Sequence, residues 1–384
     1  MRSGKGPATD PWFQDFLHTS RPLNAVLQPL NTGPVQVVYT RIDRDARNVA
    51  YFHDFYYQVD AERYFYPAST VKLPMAAAAL EKINLLGLPR LTVNTPYYTT
   101  AMPLDTGYQA GQASSVATDI EKMLTLSSNT AFNRLYQFTG PCTLQAMLGA
   151  KGYADADIRH QLGFSDIGTG HPDTAPCRFV EGDTVIYEQP GAHCHLAAAP
   201  PRHDHAGTAF LDGQGRLHRQ PMNFSFRNRL PLLNLHKILQ SIIFPECVTF
   251  EQGFRLTDTD RRLLLRSLGQ WPRQMENLPA HADYPDHYAK FLLPDVPGVR
   301  CFNKAGWAFG FLTDTAYFAD PVRGIEFCLS ATVAFHDGTP LQANMPEQEQ
   351  AGKQWLKALG TAVYEYELHR PKKYYPDLQR YTEY

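Results

Sequence analysis

Three groups of residues in this chain could do chemistry together. The first is Ser69 and Lys72 in YFYPASTVKLPMAAAALEKI, three apart where an extended segment runs into a helix. A serine hydroxyl holds its proton too tightly to attack at neutral pH and needs a neighbouring base. Residues three apart share a helix face, so Lys72 can reach back to Ser69. An amine serves as base only where its protonated form is disfavoured, and burial does that. The run LPMAAAAL supplies apolar surroundings. The helix start also turns backbone N–H groups toward Ser69, where they could stabilise an oxyanion. Such a pair alone is common by chance. The second group is Ser127, Ser128 and Asn129, which interrupts a helical pattern; the third is Lys304, Ala305 and Gly306, inside a strand-like stretch.

The elements that must bring these groups together are legible from periodicity. GPVQVVYTRID (33–43) alternates and is rich in valine, and NVAYFHDFYYQVD (48–60) reads as its hairpin partner. A helix runs from Ser69 to about Leu86, where Gly87 and Pro89 stop it. Residues 114–140 and 143–153 are helical in pattern, as are 229–244 and 257–268. Two strands follow over 299–320 and a third over 325–335, and the chain closes with a helix over 346–368. The strands at the two ends can pair only if they meet in space. The order therefore predicts an α+β architecture, one antiparallel sheet built from both ends of the chain with a helical part inserted between. The expected division is a leader over 1–24 and one catalytic domain over 25–384. Its α/β part spans about 25–66 and 245–370, and its helical part about 67–244, with a long insertion over about 165–225 that is dense in Gly, Pro, His and Asp.

The chain has 384 residues, 43% apolar and 19% charged, with a net charge of −2 and no basic block. That is globular, and its electrostatics give no support to a nucleic-acid or anionic-membrane partner. No run is apolar enough to span a bilayer, and MRSGKGPATDPW has no apolar signal core. The six cysteines show no CxxC spacing. They read as free buried thiols, with Cys177–Cys194 the pair to expect if the compartment is oxidising. HCH (193–195) and HDH (203–205) carry zinc-ligand types, but two-apart ligands in a loop rarely converge, so no metal and no cofactor is expected. The aromatic tail YYPDLQRYTEY reads as a surface-docked terminus.

STVK, SSN and KAG resemble, in order, the SxxK, SDN and KTG motifs of class A β-lactamases and penicillin-binding proteins. The similarity extends over YPASTVKLPM, MLTLSSNTAFNRL and NKAGWAFGFLTDTAYF, and covers about 300 residues. It implies the class A β-lactamase/DD-peptidase-like fold, an antiparallel sheet flanked by helices with an inserted all-helical subdomain. It also implies a small β-lactam or cell-wall peptide as substrate, a periplasmic or secreted monomer, and a role for each matching residue. Ser69 is the acylated nucleophile, Lys72 its proton partner, and Ser127 the relay to the leaving nitrogen. Asn129 binds the substrate amide and Lys72. Lys304 binds the substrate carboxylate, Gly306 leaves room for substrate, and the N–H groups of Ser69 and of Trp307 or Ala308 form the oxyanion hole. The chain departs from the pattern at Ser128 and Ala305, where the family has aspartate and a hydroxyl residue. It also lacks the glutamate with following Leu-Asn that activates the deacylating water; Glu181 and Glu188, in the insertion, are the candidates for that base. The rivals to β-lactam hydrolysis are a DD-peptidase or esterase that turns over β-lactams slowly, and a non-catalytic protein of the same fold.

Overall fold

The computed structural model describes residues 6–26, 34–99, 112–164, 168, 170–195, 203–275, 284–285, 288–334, 339–343 and 345–383. The chain begins with helices α1 (Pro11–Thr19) and α2 (Arg21–Asn24), then strands β1 (Val35–Arg44) and β2 (Ala50–Tyr57). A 3-10 turn, Ala68–Val71, leads into α3 (Lys72–Leu86), which ends on Gly87 in the left-handed conformation at φ 60°. Next come β3 (Tyr97–Thr99), α4 (Val116–Thr125), α5 (Asn129–Thr139) and α6 (Pro141–Ala150). The described residues of the insertion form eight short strands: β4 (Asp173–Thr174), β5 (Cys177–Glu181), β6 (Thr184–Gln189), β7 (Ala192–His193), β8 (His205–Ala206), β9 (Phe210–Leu211), β10 (Leu217–His218) and β11 (Met222–Asn223). Helices α7 (Leu232–Ile243) and α8 (Asp258–Gly269), strands β12 (Arg300–Ala308), β13 (Phe311–Asp320) and β14 (Ile325–Ala334), and helix α9 (Met345–His369) complete it.

The main sheet is antiparallel in the order β12-β13-β14-β1-β2. The ends of the chain meet where β1 pairs with β14, from Val35 opposite Val333 to Arg41 opposite Phe327. Strands β13 and β14 are buried along their whole length because both faces are covered. One face packs on α7 and the helical part, the other on α9 and α1. Helix α3 is central among α4 to α8, which is why its alanines are fully buried: only small side chains let that many helices approach one axis. Among the described residues, no helix is long and apolar enough to cross a membrane.

Four details differ from the sequence expectation. Residues 11–24, read as a leader, are helical and bury Phe13, Leu17 and Leu23, with Asp10 accepting from the Phe13 N–H at 2.9 Å as N-cap. The insertion, read as a stretch dense in Gly, Pro, His and Asp, holds a β9–β10 hairpin and a sheet in the order β3-β5-β6, so it is built onto the helical part. The disulfide joins Cys142 to Cys194, not Cys177 to Cys194. Strand β5 turns Cys177 into the core, while Cys194 lies beside the first turn of α6; Cys177, Cys247, Cys301 and Cys328 are free. The tail is docked, and further in than a surface terminus: Leu378 and Tyr381 are buried, the Tyr381 ring 4.9 Å from Tyr317 and 5.6 Å from Phe302.

Candidate active site

The 3-10 turn at the head of α3 presents Ser69, and the first full helical turn carries Lys72 beneath it. Lys72 is fully buried, with Nζ 2.8 Å from Ser69 Oγ. The same nitrogen lies 3.2 Å from Ser127 Oγ and 2.7 Å from Asn129 Oδ1, and it donates to the Ser127 carbonyl. The second group reaches Lys72 because the chain breaks between α4 and α5. Ser128, which stands where the resemblance has aspartate, caps α5 by accepting the Ala131 N–H at 3.1 Å. Ser127, just before it, is held in the left-handed region at φ 60°.

Strand β12 closes the site. Lys304 is buried, and its Nζ donates to Ser127 Oγ at 3.0 Å and to the Ala305 carbonyl at 2.9 Å. Burial pushes its ammonium down to about 7; the Asp314 carboxylate opposes that shift and Lys290 adds to it. The Ser127 hydroxyl therefore lies between two amines. Gly306 is where β12 crosses the nucleophile turn. A Cβ there would sit 2.7 Å from the Ser69 nitrogen and 2.8 Å from the Pro67 carbonyl oxygen, so the glycine makes room for the turn itself. Because β12 is an edge strand, the side facing away from β13 has no strand partner among the described residues, and Ala308 at its end packs against the cluster that holds Ala68, the neighbour of Ser69. Ala68 (φ 45°) and Phe309 (φ 55°) join Ser127 as non-glycine residues in the left-handed region. Each costs about 1–3 kcal/mol, and each adjoins a site residue, which is where such strain collects.

The structure thus brings Ser69, Lys72, Ser127, Asn129, Lys304 and Gly306 together. It does not bring in the others in the same way. Ala305 faces the opposite side of the sheet and is fully buried in the core under α9. The Trp307 ring packs on Tyr288 and Phe291, at 5.5 and 5.4 Å. Glu181 pairs with Arg90, the Nε–Oε2 distance being 3.0 Å, and Glu188 pairs with Arg178 at 2.8 Å. Both glutamates are exposed on the β3-β5-β6 sheet, and their hydrogen bonds go to those arginines. Cys194 of the HCH triplet is spent on the disulfide, and Asp204 of the HDH triplet on Arg229 at 2.9 Å.

Several contributors escaped the sequence reading. Asn133, one helical turn beyond Asn129, grips Leu162 from both sides: it donates to the Leu162 carbonyl and accepts its N–H, each at 2.9 Å. The four-residue spacing on α5 was the available signal. Asn228 holds the same segment from the other side, accepting from the Arg159 and His160 N–H groups at 3.0 and 3.1 Å. The end of the insertion supplies Met222 and Phe224 to an apolar cluster with Tyr66, Ala68, Phe309 and Phe311, so the insertion packs on the nucleophile turn and on the end of β12. Its aromatic rings gave no periodic signal.

This sheet with its helical insert is the class A β-lactamase-like fold. Residues 21–190 match the model of the beta-lactamase enzyme family. The fold is similar to that of the TLA-1 extended-spectrum β-lactamase, with a TM-score of 0.53 and 13% identity over 92% of this chain and 98% of that one. It is similar also to β-lactamases from Sphaerobacter thermophilus (TM-score 0.50, 13% identity, 91% of this chain and 98% of that one) and Xanthomonas campestris pv. campestris (TM-score 0.50, 15% identity, 89% and 96%). At these identities the likeness is one of fold. No curated protein matches the chain by sequence.

Proposed function

We propose that the protein is a serine acyl-hydrolase working through a Ser69 acyl-enzyme, with β-lactam amides as its substrates. The observation that carries the reading is the Lys72 nitrogen 2.8 Å from Ser69 Oγ and in contact with both Ser127 and Asn129. In its neutral form that amine takes the Ser69 proton as Oγ bonds to the substrate carbonyl carbon. The oxyanion is stabilised by the Ser69 N–H and an N–H from the end of β12. The C–N bond then breaks, and its nitrogen receives a proton through Ser127, which Lys304 also contacts. Water finally cleaves the ester, releasing the acid and restoring Ser69.

A DD-peptidase or esterase with a persistent acyl-enzyme is the second reading. What favours it is that Glu181 and Glu188, the two expected water-activating carboxylates, each pair with an exposed arginine. The Cys142–Cys194 disulfide supports an exported, periplasmic or secreted protein. All six assembled site residues come from one chain, so a monomer suffices.

Intact-protein mass spectrometry after mixing with a penicillin tests the proposal. A one-to-one adduct on Ser69 that decays with release of product is the expected result, and Ser69→Ala should form none. A lasting adduct selects the peptidase reading. Labelling that survives in Ser69→Ala overturns both.

A further inference from the structure

Behind the site lies a second set of charges. Strand alternation turns Lys304 and Gly306 toward Ser69, and Asn303, Ala305 and Trp307 away from it. On the away side Asp314, opposite Ala305 in register, is fully buried. Its Oδ1 accepts from Asn303 Nδ2 at 2.8 Å, and its Oδ2 accepts the Phe291 and Leu292 N–H groups at 3.0 and 3.1 Å. Asn303 turns its other atom to Lys290, whose buried ammonium also donates to the Leu268 and Cys301 carbonyls, at 2.9 and 2.8 Å. Asn303 Nδ2 further donates to the Ala289 carbonyl at 2.7 Å. Residues 289–292 are thus sewn to the back of β12 by one carboxylate, one amide and one ammonium.

We infer that Asp314 is a positioning residue of this site: with Lys290, bridged through Asn303, it sets the charge carried by Lys304 and holds 289–292 as the backing of the edge strand. The inference rests on Ser69 being the acylated nucleophile only for its kinetic readout. A buried carboxylate with every bond made is costly unless a charge nearby needs it. Two buried ammonium groups, Lys290 and Lys304, do. The other titratable and charged groups facing them among the described residues are Lys72, across the Ser127 hydroxyl, and the Cys301 thiol and Arg300, beside Lys290. Asp314 is the one whose negative charge favours the protonated forms of both. The same segment carries Phe291 and Tyr288, which pack on Trp307 at the point where an oxyanion donor is required.

Two substitutions should move the site in opposite directions. Asp314→Asn removes the favourable charge and should lower the Lys304 titration midpoint by about one pH unit; Lys290→Met removes a repulsive one and should raise it by a similar amount. The midpoint is read directly by NMR titration of the full chain labelled with ε-carbon-13 lysine, the Lys304 signal being assigned through Lys304→Arg. It is read again as the alkaline limb of the pH–rate profile for labelling by a fluorescent penicillin. A merely structural role would slow labelling without displacing the limb. Midpoints unchanged in folded variants, or displaced in the same direction, overturn the inference. If Asp314→Asn does not fold, the upward shift in Lys290→Met carries the test. Failure of the wild type to label would instead overturn the serine-acylation reading, and the NMR midpoints would still decide this one.

Discussion

The Ser127 hydroxyl lies 3.2 Å from one buried amine and 3.0 Å from another. Two ammonium groups so close to one oxygen repel each other, so the site favours having one of them neutral. Lys304 has its pKa lowered by burial from 10.5 to about 7. Between about 7 and 10.5 the unfolded chain binds more protons at this position than the folded one, so the contribution of Lys304 to stability rises with pH across that window. Lys304→Met should therefore be more stable than the wild type at pH 7, with the difference shrinking toward pH 10, while labelling of Ser69 is lost; denaturant melts at the two pH values check it. Gly306 gives a second residue-scale prediction. Its missing Cβ is the space occupied by the Ser69 nitrogen, 2.7 Å away, and backbone cannot step aside as a flexible side chain can. Gly306→Ala should cost about 1–3 kcal/mol and displace the nucleophile, slowing acylation on the order of 10²-fold. Unchanged labelling by penicillin would contradict this placement of β12. Ala305, fully buried on the other face, is in a different position: a threonine there would add a hydroxyl to the core under α9 and not to the open site.

At the scale of elements, the site is a junction of three chain breaks: the 3-10 turn ahead of α3, the gap between α4 and α5, and the end of the edge strand β12. The insertion leans on two of them. Phe224 packs 6.0 Å from the Tyr66 ring and 5.5 Å from Phe309, on either side of the serine turn and the strand end. Its other anchor is the Cys142–Cys194 disulfide, which ties it to α6 and spans 52 residues. A crosslink over a loop of that length restricts the unfolded chain, and its removal by Cys142→Ser/Cys194→Ser should cost about 2–4 kcal/mol. The denaturation midpoint should fall to that of the reduced wild type, and equal midpoints with and without reductant in the wild type would refute the crosslink.

Across the whole molecule, one sheet separates two cores, and helix α1 and the 378–381 segment each pack into one of them. Helix α1 covers one face, burying Phe13 and Leu17 with α9. The tail covers the other, where Tyr381 reaches Tyr317 and Phe302. Ending the chain after Pro376 removes Leu378 and Tyr381 and should destabilise it by roughly 3–5 kcal/mol, the cost of emptying a large aromatic site. A melting temperature equal to that of the full chain would show that the tail only rests on the surface.

The sequence by itself determined the sheet, the helices and the order of the three chemical groups. Alternation in VQVVYTRID, the alanine-rich α3 and the STVK, SSN and KAG triplets are local patterns, and local patterns survive being read one segment at a time. Tertiary structure decided what depends on which segments meet. Cys194 pairs with Cys142 because β7 returns to α6, and nothing in the spacing of six cysteines distinguishes that partner. Glu181 and Glu188 stand in the part of the sequence where a base was wanted, yet their strands build a sheet with β3, where Glu181 faces Arg90 and Glu188 its cross-strand neighbour Arg178. Asp314 reads as one polar residue in FLTDTAYFAD; only the register of β13 against β12 and the folding back of 289–292 make it the carboxylate between two buried lysines.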